Sequence, residues 1–191
     1  MTRNRMEAFS DGVFAIIITI MVLELKVPHG AGFADLREDI PVFLGYVLSF
    51  LYVGIYWTNH HHLLAALESV NGRILWVNLH LLFWLSLIPV STAWAGEHPL
   101  SSAPTCVYGV ILLMCALAYM LLERMVANAI DRDCALARSI RSDPKTIVSM
   151  VAYAAGAAVA VWVPPVAYAL YCVVALLWII PDMRIEKMLA T

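Results

Sequence analysis

Charge is scarce in this sequence. Of 191 residues, Asp, Glu, Lys and Arg together make up 14%, against about 25% in a soluble globular domain. A sizeable soluble domain is thereby excluded. The net charge of -2 and the lack of a dense basic cluster also exclude a nucleic-acid binder. Cysteine is sparse: Cys106, Cys115, Cys134 and Cys172 match no zinc or redox spacing. Three of them lie in apolar runs, where a reduced thiol packs as a small hydrophobe. Enzyme signatures are absent, with no GxSxG, no HExxH and no glycine-rich phosphate loop. The second and later apolar runs contain almost no acidic residue, so no intramembrane protease dyad can be drawn. No enzymatic activity and no cofactor is expected. Internal repeats and low-complexity tracts are missing as well.

What the sequence does have is apolar length. Hydrophobic residues account for 62%, well above the about 45–50% of soluble domains. They fall into six runs, roughly 6–27, 40–60, 74–95, 103–127, 146–163 and 166–180, which form a single domain over 1–191. The runs are too long for strands and lack the period-2 alternation of a membrane barrel. Helices are then the way to satisfy the backbone in lipid. The expectation is an all-α integral membrane protein of six transmembrane helices. Arg3 and Arg5 precede the first run, but Glu7 and Asp11 interrupt it and no small-x-small site follows. It therefore reads as a retained span and not a cleaved signal. Pro41 is expected in the first turn of the second helix, and Pro164-Pro165 in a tight turn between the last two. Ten of the twelve Lys and Arg residues fall on one side of this topology and two, Lys26 and Arg37, on the other. The positive-inside rule then makes both termini cytoplasmic.

A few polar residues stand out. His60, His61 and His62 are consecutive, so on a helix they point about 100° apart and do not converge on one metal ion; no metal site is expected. Asn78 and His80, inside the third run, are expected to hydrogen-bond between helices. On a helical wheel of the first run with Ile16 at 0°, Gly12, Ile20, Leu23 and Val27 fall within about 40° of it. Thr19 lies at the border of that stripe. Ser10 and Asp11 lie off it, and either turn into neighbouring protein or cap a helix that begins near Gly12. The stripe itself suits lipid, a neighbouring helix or a pore. Glu24, near the outer end, suits either a cation-concentrating group or an interfacial residue in water.

Arg5-Met-Glu-Ala-Phe9-Ser10-Asp11 fits an RxxxFSD signature, and Trp57-Thr58-Asn59-His60-His61 fits a WxxHH segment. In these motifs, and in the six runs, the chain resembles the endosomal and lysosomal potassium channels of the transmembrane protein 175 type. The resemblance covers most of the chain and is most specific in the first helix. It implies a potassium-permeable cation channel in the cell membrane that uses no TVGYG filter, and no such loop occurs here. It implies a homotetramer whose first helices line a central pore. The hydrophobic constriction carries over to Ile16, the next apolar layers to Ile20 and Leu23, and the pore threonine to Thr19. Thr19 then either touches ions or bonds back to the carbonyl of Ala15. Arg5, Phe9, Ser10 and Asp11 are placed in a polar network, with His60, His61 and Asn78 as partners. The permeant potassium ion and the lipid bilayer are the expected partners. The competing reading is a small secondary transporter or proton-coupled carrier, which calls for mid-membrane charges and unwound helices in two related halves.

Overall fold

A computed structural model describes residues 2–25, 27–28, 30, 32–33, 36–130 and 144–179. Within them every regular element is helical. The helices are α1 (Arg3–Leu23), α2 (Leu36–Ala65), α3 (Gly72–Leu85), α4 (Ile88–Glu97), α5 (Ser102–Ala129), α6 (Pro144–Val159) and α7 (Pro164–Ile179). Four stretches are long and apolar enough to cross a bilayer: Arg3–Leu23, Asp39–Ala65, Gly72–Glu97 and Ser102–Ala129. The 16-residue helices α6 and α7 are apolar but only about 24 Å long, short of a hydrocarbon core of about 30 Å.

Prolines set several boundaries differently from the sequence expectation. The third apolar run is two helices, because the path breaks at Ser86–Leu87 just ahead of Pro89. Pro89 has no N–H to give the carbonyl of Leu85, so the ladder cannot continue straight. The last regular bond runs from Ser86 N to Leu82 O at 2.9 Å, and a tighter three-residue bond from Leu87 N to Trp84 O at 3.2 Å bridges the break. Pro41 lies inside α2 and not in its first turn, since that helix starts at Leu36. Pro164 and Pro165 open α7 instead of forming the turn. Their missing N–H groups fall where helix donors have no partner anyway, and the turn occupies residues 160–163. The first helix starts earlier than expected and stops at Leu23, so Val27 lies beyond it.

The helix α5 sits at the centre, packed against α3 and α4 on one side and α6 and α7 on the other, while α1 lies against α2, α3 and α4. Two cores result. One is mainly aliphatic and joins α1, the second half of α2, α3 and the second half of α5, through Phe14, Ile17, Leu63, Leu81 and Leu122. The other is built from tyrosines and small residues, with Tyr52, Tyr108, Tyr153 and Tyr171 packed among Ala160, Ala167 and Ala175. Tyr171 is fully buried where α5, α6 and α7 meet. Its ring fits only because Gly109 and Gly156 face it: a Cβ on Gly156 would lie 2.5 Å from Tyr171 Cε1. Cys115 is buried in the aliphatic core, and Cys106 and Cys172 are also free thiols. Cys134 lies outside the described residues.

Gly156→Ala should therefore overpack this junction and lower stability by about 1–3 kcal/mol, read as a fall in the thermal unfolding midpoint in detergent. Gly54→Ala, where an added Cβ meets nothing within 4 Å, should leave the midpoint unchanged or raise it.

Candidate functional site

The first helix has one buried face and one open face. Met6, Ser10, Phe14, Ile17 and Met21 are its buried positions. Ile16, Ile20 and Leu23 are exposed by 58%, 43% and 80%, and Gly12 and Thr19 beside them are exposed too. Among the described residues, no helix of the same chain covers this stripe. The Thr19 hydroxyl donates to the carbonyl of Ile16 at 2.8 Å, one residue further along than the Ala15 carbonyl expected from the sequence.

The rotation of α1 is held by a buried polar relay across three helices. Ser10 Oγ donates to the Met6 carbonyl at 2.9 Å and accepts from Asn78 Nδ2 at 3.0 Å. Asn78 Oδ1 lies 2.7 Å from His60 Nε2. The amide oxygen can only accept, so His60 Nε2 carries the proton and donates. Ser10 and Asn78 are fully buried and His60 nearly so. The edge of Phe14 packs against the imidazole, with ring centroids 5.5 Å apart. Because α1 starts at Arg3, Ser10 and Asp11 lie well inside the helix and do not cap it.

Asp11 leaves this relay and accepts from Trp57 Nε1 of α2 at 2.9 Å. Nearer the start of α1, His61 Nδ1 meets Glu7 Oε1 at 2.8 Å. Arg3 lies within 3.9 Å of the other Glu7 oxygen and donates to the carbonyls of Ala65 and Leu67 at 3.1 and 3.3 Å. It thus closes the end of α2 as a basic C-terminal group does. Glu7, Arg3 and Trp57 are contacts that sequence reasoning missed. Of the expected network, the structure brings together Ser10, His60 and Asn78. It places Asp11 and His61 in separate contacts with the same two helices. Arg5 and Phe9 are not brought in: both are exposed and fall within about 20° of Ile16 on the wheel. His80, expected to bond between helices, instead accepts from Trp84 Nε1 one turn along its own helix, at 3.0 Å.

Asn78→Ala should remove the two side-chain bonds that join α1, α2 and α3. Such bonds inside membrane proteins average about 0.6 kcal/mol and reach about 1.7, so a loss of about 1–2 kcal/mol is expected in detergent unfolding. Ser86→Ala removes only an exposed local bond to Phe83 and should change nothing measurable.

Comparison with known proteins places this geometry. The family model for the endosomal/lysosomal potassium channel TMEM175 matches residues 5–89, the stretch that holds α1, α2, α3 and the whole polar relay. A potassium channel of Chryseobacterium is 51% identical over 189 residues, 99% of this chain and 98% of that one. The crystal structure of a lysosomal potassium-selective channel TMEM175 homolog from Chamaesiphon minutus superposes with a TM-score of 0.82 at 28% identity, covering 92% of this chain and 95% of that chain. The human endosomal/lysosomal proton channel TMEM175 is 31% identical over 103 residues, 48% of this chain and 20% of that longer protein. The protein is thus a multi-pass membrane protein, and it belongs to the TMEM175 family of ion channels.

Proposed function

We propose that the protein is a potassium-permeable cation channel of the cell membrane, a homotetramer of six-span subunits with both termini cytoplasmic, in which the α1 helices line a central pore. The observation that carries this reading is the bare stripe of α1. Ile16, Ile20 and Leu23 stay exposed while the opposite face is locked into the chain by the Ser10–Asn78–His60 relay. A helix anchored by one face with Gly12 and Thr19 on the other is suited to a shared axis. The names of the Chryseobacterium and Chamaesiphon relatives support the ion. The ten-to-two division of Lys and Arg supports the orientation. In a six-span subunit α6 and α7 make the last two crossings.

Four Ile16 side chains would form a ring without any oxygen to replace an ion's hydration shell. Such a ring gates by dewetting and filters by the ease with which an ion sheds water. Potassium holds its water less strongly than sodium and passes more readily. Ile20 and Leu23 extend the apolar section outward. In the tetramer Arg5 and Phe9, on the same stripe, lie near neighbouring subunits and extend the motif's polar network between chains. The break at Ser86–Leu87 is the one feature shared with a carrier. Its flanks, Leu82–Leu85 and Ile88–Val90, are apolar apart from Ser86 itself, so it supplies no mid-membrane charge.

Purified protein in a planar bilayer, with potassium on one side and sodium on the other, should give unitary current steps and a potassium-directed reversal potential. Slow, saturable tracer flux without steps would establish a carrier instead. Ile16→Asn should raise conductance or reduce the preference for potassium. If both stay at the wild-type value, Ile16 is not the constriction. Asp11→Ala and Trp57→Phe remove the same α1–α2 contact, from the acceptor and from the donor side. Each should weaken the assembly, seen as subunit loss on size exclusion, and leave the permeability ratio of the remaining tetramers unchanged.

A further inference from the structure

Away from α1, an apolar groove of about 660 Å³ runs between the first half of α2, the end of α4, the start of α5 and the whole length of α7. Pro41, Leu44, Gly45 and Leu48 form its α2 wall, and Tyr168 and Leu176 stand on the α7 side. Along α7 the groove extends from Pro165 to Ile179, a rise of about 21 Å. One leaflet of the hydrocarbon core is about 15 Å deep. The volume falls within the about 300–1,000 Å³ of sites that enclose a discrete ligand.

The chemistry of the walls selects the occupant. The lining hydroxyls of Thr92 and Tyr108 both engage Ser49, at 2.7 and 2.9 Å, and that of Tyr168 bonds with Thr105, so they make no demand on a ligand in the groove. The α2, α4 and α5 walls belong to stretches long and apolar enough to cross a membrane, and α7 is apolar, so the surrounding solvent is hydrocarbon. The stripe of α2 that lines the groove continues one turn further to Arg37, within about 60° of Pro41, Leu44 and Leu48 on the wheel. Arg37 is exposed and makes no ion pair among the described residues. Asp39 lies on the opposite face of the helix, about 160° from Arg37. A cation therefore stands at the head of an apolar trough, complementary to an anion joined to an alkyl tail. Leu100 adds an independent sign. It holds a left-handed backbone, φ 58°, that glycine would adopt freely, yet it places a leucine side chain on the groove wall. Strain of that kind persists where the side chain is needed.

We propose that this groove holds one acyl chain of a phospholipid from the surrounding bilayer, with the phosphate seated at Arg37. The inference rests on the membrane location of the helices and is independent of the pore. Its test is photolabelling of the full chain in phosphatidylcholine vesicles that contain phosphatidylglycerol with a diazirine on its acyl chain, followed by peptide mapping. Adducts should concentrate on Ile40–Leu51 and Tyr168–Ile179. They should be fewer at Trp76, Phe83, Val148 and Val151, which are comparably exposed. Even labelling of all exposed helices overturns the proposal, as does a groove left unlabelled because a second copy of the chain covers it. Gly45→Leu fills the trough, since a Cβ there meets only Thr92 Cγ2 at 3.9 Å. It should abolish groove adducts and leave the rest, and persistence of those adducts overturns the proposal. Arg37→Gln leaves the packing intact and should lower the labelling of phosphatidylglycerol in the groove by about fivefold, the effect of one basic residue beside an anionic lipid. Unchanged labelling removes Arg37 as the headgroup site.

Discussion

The hydrogen-bond relay from Ser10 through Asn78 to His60 sets the rotation of the first helix, and most of what the molecule presents follows from that rotation. In hydrocarbon a polar side chain without a partner is expensive, so the face of α1 that carries Ser10 has to meet α3 and α2. Met6, Phe14, Ile17 and Met21 share that face and are carried into the aliphatic core with it. The remaining face has no choice but to stay outside. A turn of α1 by one residue, about 100°, would bring Ser10 out and Ile16 or Asp11 in, depending on its direction, and would leave Asn78 and His60 unsatisfied. The polar contacts are few, but they decide which residues line the free surface.

Much of this was legible in the sequence. Ile16, Ile20 and Leu23 could be placed on one stripe because a single continuous helix makes the angular arithmetic reliable. Ser10, His60 and Asn78 could be grouped because the resemblance to the family places them in one polar network. Several of the failures share a cause: a proline is visible in the sequence, but the hydrogen bonds around it are not. Pro89 divides one span into two helices, Pro41 is tolerated inside α2, and Pro164 and Pro165 start a helix where a turn was expected. His80 satisfied itself one turn away on Trp84, a pairing that needs no second helix. Trp57 was visible as part of a motif, but its indole gives no sign in the sequence that Asp11 is its acceptor.

The two cores divide the work of the fold. Around α1 the packing is aliphatic and the few polar groups are concentrated in one relay. Around α7 the packing is aromatic, and each tyrosine hydroxyl must be placed. Tyr52 donates to the Tyr171 carbonyl, Tyr171 to that of Thr105, and Tyr108 shares Ser49 with Thr92. Such a core is specified by its hydrogen bonds as much as by its volume, which fixes α5, α6 and α7 as one block. The block backs α2 and α3 from the side away from the free stripe of α1, and it also forms one wall of the groove that begins at Ile40.

The small bond between Thr19 and the carbonyl of Ile16 has a consequence for the kind of ion the first helix can greet. A hydroxyl has one proton and two lone pairs, and here the proton is committed to the helix backbone. Outward, Thr19 therefore shows only electron density. It can accept from water or solvate a cation, and it has nothing to donate to an anion. In the proposed pore, the direction of this one hydrogen bond sets the sign of charge that Thr19 can contact.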